Sequence, residues 1–487
     1  MVAQILGAKM LAPFLGLSHF VWTAQIAVTL VALAAGYYLG GRLADRTQNV
    51  ASLYWAIVAG ALYFALTVVV CEPVAYWAMG SSLAISSLLV SSILFFVPLA
   101  LLAMTGPFLA RVITSSVSNV GGNVGRLTSV GTLGSFLGTL VIGYFLIPNL
   151  PNAVSVLLTA SLLVLVGAGY FLLTRRWVPS FILLLVAGGM VFAAQVERKP
   201  SHDFQFVDEI FRGNSHFGQL QVVDRRGGGV RYYLNDNLIQ NTYDPARKQS
   251  ESAFTYMLAL MARAYVTNIN DVLCIGLGVG IVPMDFARAG AKVDVVEINP
   301  AVVPVATKFF NFEPDRVLVT IDDGRHYLNN CKKQYDAVVL DAFLGDSSPS
   351  HLMTREAFES IRRVLRPGGA LVINSFGELA RGRDFFGASL HRTLQSVFPG
   401  VRVHTRGEGA IFFAATVRPD PHFVNQPDFS TVHPNVKPEV ERIFSSVNEM
   451  PPDRGMVLTD DYNPAEFYDA KNREIIRRNL AMGARQM

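Results

Sequence analysis

Charge and cysteine are both scarce in this chain. Of its 487 residues only 16% are Asp, Glu, Lys or Arg, while 51% are hydrophobic, a balance typical of a protein with a bilayer-embedded part. The three cysteines, Cys71, Cys274 and Cys331, show no redox or metal spacing, which argues against a disulfide framework and a thiolate centre. Nine histidines fall without HExxH or any other ligand spacing, so no metal is expected. There is no Lys/Arg block with interleaved aromatics, and the formal charge is a mild +4, so nucleic acid is not an expected partner. The N-terminus lacks a basic start, a short apolar core and a small-residue cleavage site, and the first helices are expected to be retained as structure.

What is abundant is apolar sequence, concentrated in residues 1–195. A membrane span needs about 20 largely apolar residues, and six candidates fall at 21–40, 51–71, 82–105, 127–148, 153–173 and 177–195. The stretch from Val2 to Leu17 is shorter and interrupted by Lys9, as in a seventh or re-entrant piece. Pro148 and Pro151 predict a tight turn between two helices. Gly36 and Gly40, and Gly134 and Gly138, recur at the four-residue spacing that lets helix backbones approach closely in lipid; such packing also permits a homodimer. No ionisable residue lies well inside a confident span, which disfavours an ion or proton path.

Beyond residue 195 the chain changes solvent. The polar link VERKP leads into alternating segments, GQLQVVD and VRYYL, that read as hairpin strands. A helix is expected from about Gln249 to Ala264, and strands at DVLCI, KVDVVEI, RVLVTI, AVVLDA, GALVINSF, RVHTRG and AIFFAATV. Helical segments between the strands imply an α/β fold with a mostly parallel sheet. The resulting division is 1–195, a transmembrane helical domain; 196–245, a linker and small β module; 246–475, an α/β domain; and 476–487, a tail.

Chemistry-bearing residues collect at predicted strand ends. Gly276, Gly278 and Gly280 let the backbone turn sharply after a strand and approach a ligand. The dinucleotide fingerprint would want glycine where Ile281 stands, so a nicotinamide or flavin reading loses ground. Glu297 ends the next strand, where a carboxylate can accept both ribose hydroxyls. Asp323, followed by Gly324, could take an adenine amino group. Asp341 closes AVVLDAF at the sheet edge that binds ligands in open α/β folds, where it could orient an amine and accept its proton. Pro367, Gly368 and Gly369 of VLRPGG read as turn chemistry.

Taken as a set, VLCIGLGVGIVPMDF, VDVVEINP, TIDDGRHYL, AVVLDAF and VLRPGG resemble the spermidine synthase, or polyamine aminopropyltransferase, family over about residues 205–470. NSHFGQLQVVD and LNDNLIQ are similar to that family's N-terminal strands. LTDDYNPAEFY, APFLG and YYLGGRLADR are similar to segments of its membrane-attached bacterial members. The resemblance implies a Rossmann-like sheet of the class I methyltransferase type behind a transmembrane bundle. It also implies a donor, decarboxylated S-adenosylmethionine or S-adenosylmethionine, bound as co-substrate with no permanent cofactor. Glu297 would hold the donor's ribose, Asp323 its adenine, the Gly276–Gly280 loop its thioether side, and Asp341 would be the acid/base; Gln240 would sit near the donor.

Two departures bear on the acceptor. Val279 and Leu344 stand where family members carry carboxylates that hold the polyamine, and an amine dication needs buried acids to offset its desolvation. The aromatic upstream of the glycine loop corresponds to Phe254, which lacks tyrosine's hydroxyl, while Tyr256 faces differently on a helix. With Asp346, these two are the acceptor-side candidates; Glu378, Asp460 and Asp461 are acids that could converge from elsewhere. The expected activity is a membrane-anchored transfer to an amine with release of methylthioadenosine. Internal cyclisation of the donor, methyl transfer and a nucleoside-sensing module are the alternatives.

Location is read as the cell membrane, multi-pass. Arginine-bearing loops, at Arg42 and Arg46, Arg111 and Arg126, and Arg175 and Arg176, alternate with uncharged ones. Counting positive charges places those loops in the cytoplasm and the α/β half outside. Donor metabolism favours a cytoplasmic α/β half, which is the reading preferred here.

Overall fold

The computed structural model describes residues 1–16, 18–47, 49–114, 119–197, 206–236, 238–343, 349–380, 382–450, 454–468, 474–475 and 478. The chain divides into two compact units. The first is helical. Among the described residues, six helices are long and apolar enough to cross a membrane: His19–Arg46, Val50–Ala78, Leu83–Ile113, Val120–Asn149, Asn152–Leu173 and Trp177–Val196. Val2–Leu15 precedes them; at about 1.5 Å per residue its 14 residues give roughly 21 Å, short of a hydrocarbon core of about 30 Å.

Small residues decide how closely these helices meet. A Cβ on Gly36 would lie 2.3 Å from the Ala100 carbonyl oxygen, and one on Gly40 would lie 2.6 Å from that of Met104. His19–Arg46 therefore packs backbone to backbone on the third span, as the spacing predicts. The second glycine pair differs, since among the described residues Gly134 meets nothing within 4 Å and Gly138 meets a Val2 methyl. The third span contains a π-helical turn at Ser92–Phe96, just before Pro98. A second lies at Val141–Leu146, just before Pro148. Each proline withdraws an N–H from the regular ladder, and a widened turn accommodates the loss. Pro148 and Pro151 separate a helix ending at Asn149 from one beginning at Asn152.

The second unit carries two sheets. β1 (Val207–Ser215), β2 (Gly218–Arg225), β3 (Arg231–Asn235), β4 (Leu238–Asp244) and β5 (Gln249–Ser250) form a five-stranded sheet in sequence order. The larger sheet contains β6 (Asp271–Ile275), β7 (Lys292–Glu297), β8 (Leu318–Ile321), β9 (Tyr335–Leu340), β10 (Leu365–Glu378), β11 (Gly400–Thr405), β12 (Glu408–Thr416) and β13 (Val447–Asn448). Its order is β13-β11-β12-β10-β9-β6-β7-β8. From β10 to β8 neighbours run parallel, and β12, β11 and β13 pair antiparallel. The sheet is thus mostly parallel, with an antiparallel edge.

The central strands are buried on both faces, as the continuous apolar runs require. Val272, Cys274, Val339 and Val372 pack with the helix Ala253–Tyr265 on one face. Leu273, Ile275, Leu340 and Ile373 pack with Phe358, Ile361, Leu390 and Leu394 on the other. The VLRPGG turn lies inside the start of β10. Gly368 adopts φ +83°, and the register with β9 shifts between Leu365 and Ala370. A Cβ on Gly369 would lie 2.8 Å from the Asp336 carbonyl oxygen, so the turn chemistry serves a close strand approach.

Candidate active site

Four neighbouring parallel strands, β9, β6, β7 and β8, present their carboxyl ends along one edge, and the loops leaving them interlock. After β6, Gly276, Gly278 and Gly280 all have positive φ, at +97°, +54° and +84°. Gly276 donates its N–H to the Val296 carbonyl, and a Cβ on it would lie 2.3 Å from the Asp341 carbonyl oxygen. Only glycine lets this loop press against the end of β9. A Cβ on Gly280 would lie 2.4 Å from the Phe312 ring. The helix Ile281–Arg288 follows at once, so its first amides open beside the loop.

Glu297 ends β7 and holds the loop in place. One carboxylate oxygen accepts the Leu277 N–H at 2.9 Å, and the other accepts the Asn299 N–H at 2.8 Å. Burial pushes its carboxyl up, against the pull of these backbone donors. The Glu297 carbonyl in turn accepts the Asp322 N–H, which links the ends of β7 and β8. Asp323 caps the helix Gly324–Asn330. Its Oδ1 accepts the Arg325 and His326 amides, and its Oδ2 lies 2.9 Å from the His351 Nε2. Burial raises the Asp323 carboxyl, yet the His326 amide, the His351 ring and the Arg325 amide outweigh it and hold it below its ordinary value. A Cβ on Gly324 would lie 2.6 Å from the Ile275 methyl, so the capped turn rests on the end of β6.

Asp341 follows β9, and its backbone N–H continues the ladder to the Ile275 carbonyl. Its Oδ1 accepts a 2.9 Å hydrogen bond from the Asn374 side-chain amide on β10. Burial pushes the carboxyl up to about 6, although Asn374 pulls it the other way. A carboxylate in that state can accept a proton near neutral pH. The geometry thus joins Gly276 to Asp341, Leu277 to Glu297 and Gly324 to Ile275 along one strand-end edge.

The remaining sequence-predicted residues lie as follows. Gln240 is on β4, beside Asn241, whose Oδ1 comes within 3.6 Å of a Cβ built on Gly278. Phe254, on the helix Ala253–Tyr265, packs against the cluster that contains the buried Val279. Tyr256 donates its hydroxyl to the Ser250 carbonyl at 2.8 Å, and burial pushes that phenol up to about 12. Asp346 and Leu344 lie outside the described residues. Glu378 pairs with Arg383. Asp460 accepts from the Thr354 hydroxyl at 2.6 Å and from Arg325 at 2.8 Å, which fastens the LTDDYNP segment beside the helix Gly324–Asn330; Asp461 is exposed.

Three contacts escaped the sequence reading: Asn374 with Asp341, His351 with Asp323, and Asp460 with Thr354. Asn374 did leave a signal, a polar residue inside the apolar run ALVIN. Among the described residues, Asp244, Glu251 and His433 gather potential ligand atoms within 4.8 Å of one another. The His433 Nδ1 accepts the Asn435 N–H, so its proton sits on Nε2, 3.3 Å from Asp244 and 3.6 Å from Glu251. The ring therefore offers these acids an N–H and not a lone pair to a cation.

Residues 251–405 match the family model of the spermine/spermidine synthase domain, a stretch that includes the glycine loop, Glu297, Asp323, Asp341 and Asn374. Over 218 residues the chain is 28% identical to a probable polyamine aminopropyl transferase of Bifidobacterium longum, covering 44% of this chain and 48% of that protein. Over 129 residues it is 37% identical to a polyamine aminopropyltransferase of Vibrio vulnificus, covering 24% and 43%. It is also 29% identical over 170 residues to putrescine N-methyltransferase 2 of Nicotiana attenuata, covering 33% and 44%. The chain spans about half or less of the length of these relatives. The mostly parallel sheet and its interlocked strand ends thus lie in the α/β half, whose residues 251–405 match the spermine/spermidine synthase domain.

Proposed function

We propose that the protein is a membrane-anchored transferase of the aminopropyltransferase type. It takes decarboxylated S-adenosylmethionine or S-adenosylmethionine as donor, transfers an alkylamine group to an amine, and releases methylthioadenosine. The observation that carries the reading is Asp341: a carboxylate raised to about 6, fixed by Asn374 and pressed against the glycine loop. In this reading the loop amides and Glu297 bind and orient the nucleoside side. The Asp323 turn takes the adenine, with Gly324 packed beneath it. Gln240 contributes from β4, and Asp341 aligns the attacking amine and accepts its proton. Alignment is the larger effect, since an in-line displacement depends on it. We place the α/β half in the cytoplasm, where such a donor is made.

The test uses full-length protein in detergent, each donor in turn, with and without putrescine or spermidine, and identification of nucleoside products by mass spectrometry. Amine-dependent methylthioadenosine is the expected result. Methylthioadenosine without an amine would replace transfer by internal cyclisation of the donor. A second reading, methyl transfer to an amine, draws on the similarity to a putrescine N-methyltransferase; adenosylhomocysteine as product would establish it.

A further inference from the structure

Asp341 is joined to a side chain that still has an unused acceptor. Asn374 is 4% exposed. Its Nδ2 donates to the Asp341 Oδ1 at 2.9 Å, while its Oδ1 has no hydrogen-bond partner among the described residues. Both heteroatoms sit on one amide carbon, so the unpartnered oxygen lies beside the Asp341 carboxylate. A buried acceptor without a donor is costly, and such a group beside the Asp341 carboxylate calls for a ligand that donates to it.

A neutral primary amine meets that requirement. It has two N–H groups and one lone pair, and the lone pair must face the carbon under attack. One N–H to the free Asp341 oxygen and the other to the Asn374 Oδ1 fix the direction of the lone pair. As the new C–N bond forms, the C–S bond of the sulfonium breaks with its electron pair passing to sulfur. The nitrogen then gives one proton to Asp341.

The surroundings indicate what the amine is attached to. The Phe343 and Phe376 rings, two residues beyond Asp341 and Asn374 respectively, meet at 5.1 Å between centroids. Among the described residues, four acids that could hold a second ammonium are already engaged, and Asp461 is exposed to water. Glu297 is held by two amides, Asp323 by two amides and His351, Glu378 by Arg383, and Asp460 by Arg325 and Thr354. Val279, buried in the core, offers no carboxylate. Among the described residues, a diamine's distal charge would have the aromatic face of this pair to meet it, and the attraction of a ring for a cation falls well below the cost of burying an unpaired ammonium.

We infer that Asn374 is a second acceptor-binding residue, and that with Asp341 and the Phe343–Phe376 pair it selects a primary monoamine on an apolar body over a diamine. This rests on the transferase reading and narrows its acceptor. The test measures kcat/KM for hexylamine, benzylamine and putrescine on the full chain in detergent at fixed donor, reading methylthioadenosine, with donor binding followed by calorimetry. The monoamines are expected to exceed putrescine by about tenfold or more. Putrescine equal or better overturns this inference and leaves the transferase reading standing. Bound donor with no methylthioadenosine from any amine overturns the transferase reading, and this inference with it.

Asn374→Ala is expected to lower kcat with hexylamine about tenfold or more while donor affinity is unchanged; an unchanged kcat overturns the role of Asn374. Asn374→Asp adds a carboxylate and is expected to move preference toward putrescine by about tenfold. An unmoved preference counts against the inference even where the alanine variant does not fold.

Discussion

Asp341 and Glu297 are both carboxylates raised by burial, yet they answer to different partners and predict different failures. In the proposed transfer Asp341 must be ionised to accept a proton, so turnover should fall as pH drops through about 6. Asp341→Asn keeps the shape and removes the base. It should lower kcat by about 10²–10⁴ while leaving donor affinity unchanged, as read by product release and calorimetry. The same group also couples stability to pH. Its folded value lies above its ordinary 3.8, so its contribution to stability is greatest below about 3.8 and is lost as pH rises through about 6. Melting temperatures of Asp341→Asn should therefore lack the decline that the parent shows across that window. Glu297 acts through the backbone, since each oxygen satisfies a different amide. Glu297→Gln replaces one acceptor with a donor facing an N–H, and a lost hydrogen bond to a charged group is worth about 1.5–3 kcal/mol. It should weaken donor binding by about tenfold or more in calorimetry and lower the melting temperature as well.

At the scale of elements, glycine contacts separate forced approaches from open ones. Gly36→Ala would drive a methyl group to 2.3 Å from the Ala100 carbonyl oxygen, whereas Gly134→Ala meets nothing within 4 Å among the described residues. The first should lower the thermal aggregation temperature in detergent, and the second should leave it unchanged or slightly raised, because alanine is the better helix former. Both pairs look alike in sequence; a spacing of four permits close packing but does not say which neighbour arrives. The same limit shaped the rest of the reading. β6, β7 and β9 were legible because their apolar runs are bounded by glycine or an acid, and Asp341 because a carboxylate closes such a run. The Asn374–Asp341 bond was not legible, because it is made by two strands paired in register, Ile373 beside Leu340. The His351–Asp323 contact spans 28 positions and carries no periodic signal. Both π-helical turns precede prolines, which predict disruption of a helix without predicting its form.

For the whole molecule, the helix Trp177–Val196 decides on which side of the bilayer the chemistry takes place. Its 20 residues at about 1.5 Å each give roughly 30 Å, enough to cross. Arg175 and Arg176 precede it, and the α/β half follows it. If it crosses, residues on either side of it must be reachable from opposite faces. The cysteines needed as reporters do not compete, since Cys71, Cys274 and Cys331 are all buried. Arg175→Cys and Asp420→Cys, the latter at an exposed position, should therefore react differently with a membrane-impermeant maleimide in intact cells. A cytoplasmic α/β half requires Asp420→Cys to be protected until the cells are opened and Arg175→Cys to be labelled from outside. That arrangement runs against the arginine bias of the loops, so the donor's location and the charge rule make opposite demands on one measurement. Labelling of Asp420→Cys alone in intact cells would put the proposed transferase site outside and require exported donor. Protection of both positions would mean that this helix does not cross, which would let the arginine loops and the α/β half share the cytoplasmic face.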